Sequence, residues 1–373
     1  MPSTAASCLR RVAIGAFCVA GFSMVVFIVT ARPRHRSENP HYGRRKELAH
    51  KGYPATESND LSARSDGDQY EEQRMLHYRQ ELCSTLPSPE VLDFLLGCVR
   101  AAVDSGPHYL KWFVLPSTFP LEPSRVHEVT DSFPRLDSKS TISDIIGTGN
   151  LQSERYLLLK WLAATFRHRI LPANSDLQVP EVPSITQFIQ LSSEPLHQED
   201  FLTWIATRCP EGGRAGFHGT PAINLLSILY GGLKAKGKGV FFASDPEVSM
   251  QRIYYGGICY DQNSIGIMKG WKNSAFKDVA VLLGVEVARK EAEWAPFDSY
   301  HSGKCRADEI AVRHVFVMPR DALLQGVKRY RGGSEGVSIY GGPRARATME
   351  EVYRRIYRGD FDKPTLRDAY DLE

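Results

Sequence analysis

His218, Gly219 and Thr220 stand together where a short apolar run, GFHG, meets a helix start. A second run, GVFFAS, brings Phe241 and Phe242 to a similar junction, and Ser249, Tyr254 and Tyr255 follow on the helix it opens. An imidazole, hydroxyls and aromatic rings gathered at strand–helix junctions point to ligand binding, because loops on a rigid scaffold carry most binding groups. Metal chemistry is not indicated. The seven cysteines are scattered without a CxxC, and no His/Cys/Asp cluster has ligand spacing. Cys259 and Cys305 read as inert thiols, with no histidine placed by motif to activate them.

The elements that would position these groups follow from local chemistry. Thr220 is a good N-cap, Pro221 suits the first helical position, and Ile223, Leu226 and Leu229-Tyr230 recur at helical spacing before Gly231-Gly232. After GVFFAS, Ser244 or Asp245 caps a helix with Pro246 and Glu247 in its first turn and Gly256-Gly257 as its stop. Val279–Ala288 reads as a buried strand, and Glu309–Met318 as another, with Ile310, Val312 and His314 on one face and Glu309, Ala311 and Arg313 on the other. The loop between them, from Arg289 to Ala307, is polar with aromatic content.

Before this unit, Val12–Ala31 is uncharged and apolar over 20 residues. At about 1.5 Å per residue that matches a hydrocarbon core of about 30 Å, which predicts a spanning helix; the rival is a cleaved signal peptide. Arginines at 32, 34, 36, 44 and 45 with Lys46 outweigh Arg10 and Arg11, which predicts a cytosolic body. A polar linker follows, then a region read as helical. It has one apolar face from Pro89 to Val103, a short piece at Tyr109–Val114, a long helix over Glu154–Ile170, and short helices at Ile185–Ile189 and Phe201–Ala206. Trp112 and Trp161 read as core. A net charge of +3 and the absence of a basic stripe with interleaved aromatics give no indication of nucleic acid. Beyond Pro319 the Gly- and Arg-rich tail reads as surface, ending in a helix near Met349–Tyr357.

His218-Gly219-Thr220, then Asn224, Ser227-Ile228-Leu229 and Gly232-Leu233, then Gly239-Val240-Phe241-Phe242-Ala243, and later Asp308-Glu309-Ile310 resemble the catalytic domain of the poly(ADP-ribose) polymerase superfamily. The helical region resembles that of the endoplasmic-reticulum, membrane-anchored branch, whose anchor is C-terminal where this one is N-terminal. The resemblance implies an α+β fold: a mixed or antiparallel split-sheet catalytic domain over 209–325, preceded by an α-helical regulatory-type domain over 77–208. Residues 1–11 would be a short tail, 12–31 the transmembrane helix, 32–76 the linker and 326–373 the C-terminal tail. It also implies NAD+ as co-substrate, no metal, protein acceptors that include the chain itself, and an endoplasmic-reticulum membrane. In family terms Gly219 would bond the nicotinamide carboxamide with Ser249, and Tyr254 or Tyr255 would stack on its ring. Thr220 completes the motif beside them. His218 would bond the adenosine ribose, and Glu309 the nicotinamide ribose, stabilising an oxocarbenium-like state. Phe241 replaces the tyrosine of the family's triad and lacks its hydroxyl. Two readings stay open, a mono-ADP-ribosyltransferase and a non-catalytic NAD+- or ADP-ribose-binding module, with an NAD+ glycohydrolase as a third.

Overall fold

Two long apolar runs with few polar positions must be covered on both faces, so they belong in the middle of a sheet. The computed structural model describes residues 84–104, 115–136, 154–166, 169–192, 195–210, 212–235, 239–260, 266–288, 302–331 and 341–358, with isolated positions before residue 84. The chain divides between Ser62 and Ala63, and every described residue belongs to the second unit. There β5 (Val279–Val287) and β7 (Ile310–Pro319) pair antiparallel, from Val279↔Pro319 to Val287↔Ile310. With β1 (Ile170–Pro172), β2 (Thr186–Gln190), β3 (Arg214–Gly219), β4 (Val240–Ala243) and β6 (Ser302–Cys305) they make a seven-stranded sheet. The order is β1-β2-β7-β5-β3-β4-β6, and every pairing is antiparallel.

Helices cover both faces. One apolar core joins Val281, Leu283, Val315 and Val317 to helices α1 (Pro89–Asp104), α2 (Val126–Asp131), α3 (Glu154–Phe166) and α5 (Leu225–Gly231). The other joins Phe217, Leu282 and Phe316 to α6 (Pro246–Tyr260), α7 (Arg320–Arg331) and α8 (Gly342–Arg358). Helix α4 (Pro195–Arg208) lays Phe201 and Ile205 against Ala288 and Ala311.

Several sequence expectations are corrected. Ile185–Ile189 is strand β2, because Thr186–Gln190 finds ladder partners on β1 and β7 that a five-residue helix would forgo. The long helix ends at Phe166 and Ile170 already belongs to β1, so the 77–208 region contributes strands to the sheet and is not wholly helical. The Phe201–Ala206 helix is longer, Pro195–Arg208. Glycines 256 and 257 do not stop α6, which runs to Tyr260; each glycine costs only about 1 kcal/mol within a helix. The polar loop contains β6. The described part of the tail is not all surface: Met349, Val352, Tyr353 and Ile356 of α8 are buried against the sheet. The row Ile310, Val312, His314 breaks at a bulge. His314 stands opposite Gly284 and Val312 opposite Val285, leaving Arg313 between them, and a strand that gains one residue swaps the faces beyond it. His314 therefore stacks on Phe316 at 5.4 Å, on the α8 side.

Val12–Ala31, the linker before residue 73, Tyr109–Val114 and the aromatic residues Trp294, Phe297, Tyr300 and His301 lie outside the described residues. Among the described residues no helix is long and apolar enough to cross a membrane.

A buried acid ties α1 to the segment ahead of β5. Asp93 Oδ2 accepts from the Ala275 backbone N–H at 2.7 Å, and burial pushes its carboxyl up to about 6. A raised folded pKa means the native state holds the proton longer, so this stabilising contribution is full below about 3.8 and is lost as pH rises through about 6. His314, pushed down to about 4 by burial, acts in the opposite sense over the same range. Comparison with Asp93→Asn isolates the acid: the stability of the native protein relative to that variant should fall by about 2 kcal/mol between pH 4.5 and pH 7.5. Parallel pH profiles in chemical denaturation would exclude this role.

Candidate functional site

Strands β3 and β4 share one ladder pair, Phe217↔Ala243, and part beyond it. The His218 ring bridges the parting: its Nδ1–H donates to the Phe241 carbonyl at 2.7 Å. A carbonyl only accepts, so this bond fixes the proton on Nδ1 and leaves Nε2 as the acceptor nitrogen. Burial pushes the imidazole below its ordinary pKa, partly offset by the Phe241 bond, and keeps it neutral near pH 7.

Gly219 is set by a close approach. A Cβ there would lie 1.8 Å from the Ser249 carbonyl oxygen and 3.2 Å from Arg252 Cβ, so β3 and α6 meet backbone to backbone. The Ser249 hydroxyl, buried, donates to the Phe217 carbonyl at 2.9 Å and pins the same contact. Thr220 is not the helix cap. The chain first makes a 3-10 turn at Ala222–Asn224, and Thr220 Oγ1 instead accepts from Asn224 Nδ2 at 2.8 Å. Asp245 does cap α6, accepting from the Glu247 N–H at 2.8 Å. Gly232 closes α5 in the left-handed region at φ 73°.

The aromatic groups are divided. Tyr254 packs half-buried against the core under α6, and Tyr255 is exposed, their rings perpendicular with centroids 5.5 Å apart. Neither is the α6 residue beside Gly219; that place belongs to Arg252, one helical turn after Ser249. The i, i+3 spacing was visible in the sequence. Phe241 lies in β4 directly opposite Lys304 of β6. Lys304 falls in a stretch whose composition, SGKC, gives no strand signal.

Glu309 is the largest departure. It ends the 3-10 turn Ala307–Glu309 and is only 1% exposed; its Oε2 accepts from the Arg306 N–H at 2.9 Å, and its Oε1 lies 3.8 Å from Arg208 Nη1. Next to it Trp204 donates to Asp308 at 3.3 Å, with the Arg208 guanidinium 4.0 Å from its ring centroid. Ile310 is level with Val287 and Arg214, whereas His218 is level with Leu283 and Val315. Glu309 is thus about five residues along and two strands across from His218, about 19 Å between backbones. The structure brings His218, Gly219, Thr220, Phe241 and Ser249 together and leaves Glu309 at the other end of the sheet, where it clamps α4 to β7. The expectation that Glu309 completes this site is corrected: an early-strand position and an acidic neighbour do not specify which end of a sheet a residue occupies.

Among the described residues no group of His, Cys, Asp and Glu is placed to hold a metal ion. No family model matches this chain, and no curated protein matches it.

Proposed function

We propose that this chain is a membrane-anchored, NAD+-dependent protein ADP-ribosyltransferase that adds single ADP-ribose units to protein acceptors, itself included. The observation that carries the reading is the histidine-bridged parting of β3 and β4, with Gly219 seated on α6 beside it. Cleaving the nicotinamide–ribose bond passes through an oxocarbenium-like state and requires the leaving group and the ribose to be held in register. In this reading His218 Nε2 accepts from a ribose hydroxyl, and the backbone at Gly219 with the Ser249 oxygen receives the carboxamide. NAD+ is the co-substrate, and no metal takes part. The Val12–Ala31 segment would hold the body on the cytosolic side of the endoplasmic-reticulum membrane.

A second reading, an NAD+- or ADP-ribose-binding module without turnover, is favoured by two observations: Phe241 has no hydroxyl to orient the ribose, and Glu309 is remote from His218. Labelled NAD+ separates the two. For a transferase, the purified chain should label itself, and His218→Ala should lower labelling at least tenfold, as loss of a positioning contact does. Glu309→Gln should melt at a lower temperature yet label as wild type when compared at equal folded fraction. Equally little label in all three proteins, with NAD+ still bound, would leave the binding module as the function.

A further inference from the structure

We infer that Arg252 and Lys304 form an anion subsite that takes the diphosphate of the bound dinucleotide, so that this site recognises its ligand through the diphosphate more than through the nicotinamide ring. The inference rests on the reading that the parting of β3 and β4 holds an ADP-ribosyl group, which the transferase and the binding module share.

The register places the two cations. Continued from Phe217↔Ala243, Gly219 is level with Phe241, and Phe241 pairs directly with Lys304. Directly opposed residues project to one face, so Phe241 and Lys304 share a side. Phe242, their alternate, belongs to the core of the other side, so theirs is the face that α6 covers. Arg252 stands on α6 over Gly219 and is exposed. Lys304 lies with its stem against Gly239, whose Cβ would meet Cγ at 3.1 Å and Cε at 2.9 Å. The two side chains thus flank one row, about 10 Å apart across two strand spacings, a gap that two long side chains can close on a diphosphate.

Among the described residues Arg252 and Lys304 have no hydrogen-bond or ion-pair partner, while Asp245, the cap of the same helix, and Glu247 in its first turn do. The ring contacts, by contrast, are partly spent. Ser249 donates its proton to Phe217 and Tyr254 packs on the core. A pyridinium ring next to Arg252 also meets like charge, whereas a diphosphate meets opposite charge, and Arg binds phosphate bidentately.

The test is calorimetric titration of the full chain in detergent with ADP-ribose, NAD+ and nicotinamide. Arg252→Ala should weaken ADP-ribose and NAD+ about tenfold alike, the size of one charge-assisted contact, with an unchanged melting temperature and no effect on nicotinamide. Lys304→Ala should act in the same direction, and Arg252→Lys should restore part of the loss. Wild-type affinity should fall with added salt, and less so in Arg252→Ala. ADP-ribose binding by Arg252→Ala at wild-type strength overturns the subsite while leaving the ADP-ribosyl reading intact. Failure of wild type to bind either dinucleotide-derived ligand overturns both.

Discussion

Gly219→Ala should cost about 3 kcal/mol of stability and abolish dinucleotide binding together. The added methyl would fall 1.8 Å from the Ser249 carbonyl oxygen, and the obstacle is helix backbone that cannot rotate away. Relief requires α6 to lift from β3, which carries Ser249 off the Phe217 carbonyl and Arg252 away from the parting of the strands. A loss of that size lowers the melting temperature by roughly 6–12 °C. Gly97→Ala is the contrast: there the new methyl meets the Met268 sulfur at 2.8 Å, the end of a flexible side chain that can turn aside, and the cost should stay below about 1 kcal/mol. Thermal melting with ligand titration decides it. A Gly219→Ala protein that melts and binds like wild type would mean that β3 and α6 are not held as described.

Arg313→Met is expected to destabilise the protein by about 3–5 kcal/mol, because it strips a buried carboxylate of its counter-charge. Arg313 and Glu286 are 1% and 0% exposed; Nε donates to Glu286 Oε2 at 2.9 Å, Nη1 to the Leu191 carbonyl at 2.7 Å and Nη2 to Tyr357 Oη at 3.2 Å. Tyr357 in turn donates to Glu286 at 2.7 Å, and the Gly213 N–H donates to its other oxygen at 2.8 Å. Burial, then the Glu286 charge, push the Tyr357 hydroxyl upward, so it keeps the proton it donates. This network ties α8 to β5, β7 and the residue just ahead of β3, far from the parting of β3 and β4, so the loss should appear in melting rather than in ligand affinity per folded molecule. The double variant Arg313→Met with Glu286→Gln should recover part of it, since no charge then remains buried alone. Strict additivity of the two single losses would show that the pair is not coupled.

Both sites show how far the sequence could be read. The strand–helix unit was legible because local chemistry writes it: Asp245 caps α6, Gly232 closes α5, and the apolar runs of β3, β4, β5 and β7 are strands where expected. The α+β class was implied by the resemblance those motifs carry, and the sheet of the described residues is antiparallel. β2 and β6 were not legible. TQFIQ and SGKC carry no decisive periodicity, and they are strands because neighbours offer them ladder partners. The C-terminal helix looked like surface because its composition is Arg-rich, yet one stripe of it, Met349 to Ile356, is apolar enough to cover a sheet face.

The sequence by itself determined the local grammar of the site: a histidine and glycine ending one strand, and a serine and an arginine one turn apart on the helix that follows the next strand. Those features depend on propensity, capping and spacing, which act within a few residues. Only the tertiary structure decided which groups meet. Strand order and register put Lys304 beside Phe241 and carried Glu309 to the far end of the sheet, and one bulge at Arg313 turned His314 away from its expected face. Pairing is chosen by residues far apart in the chain, and a shift of one position exchanges the two faces of a strand, so no local signal could have fixed it.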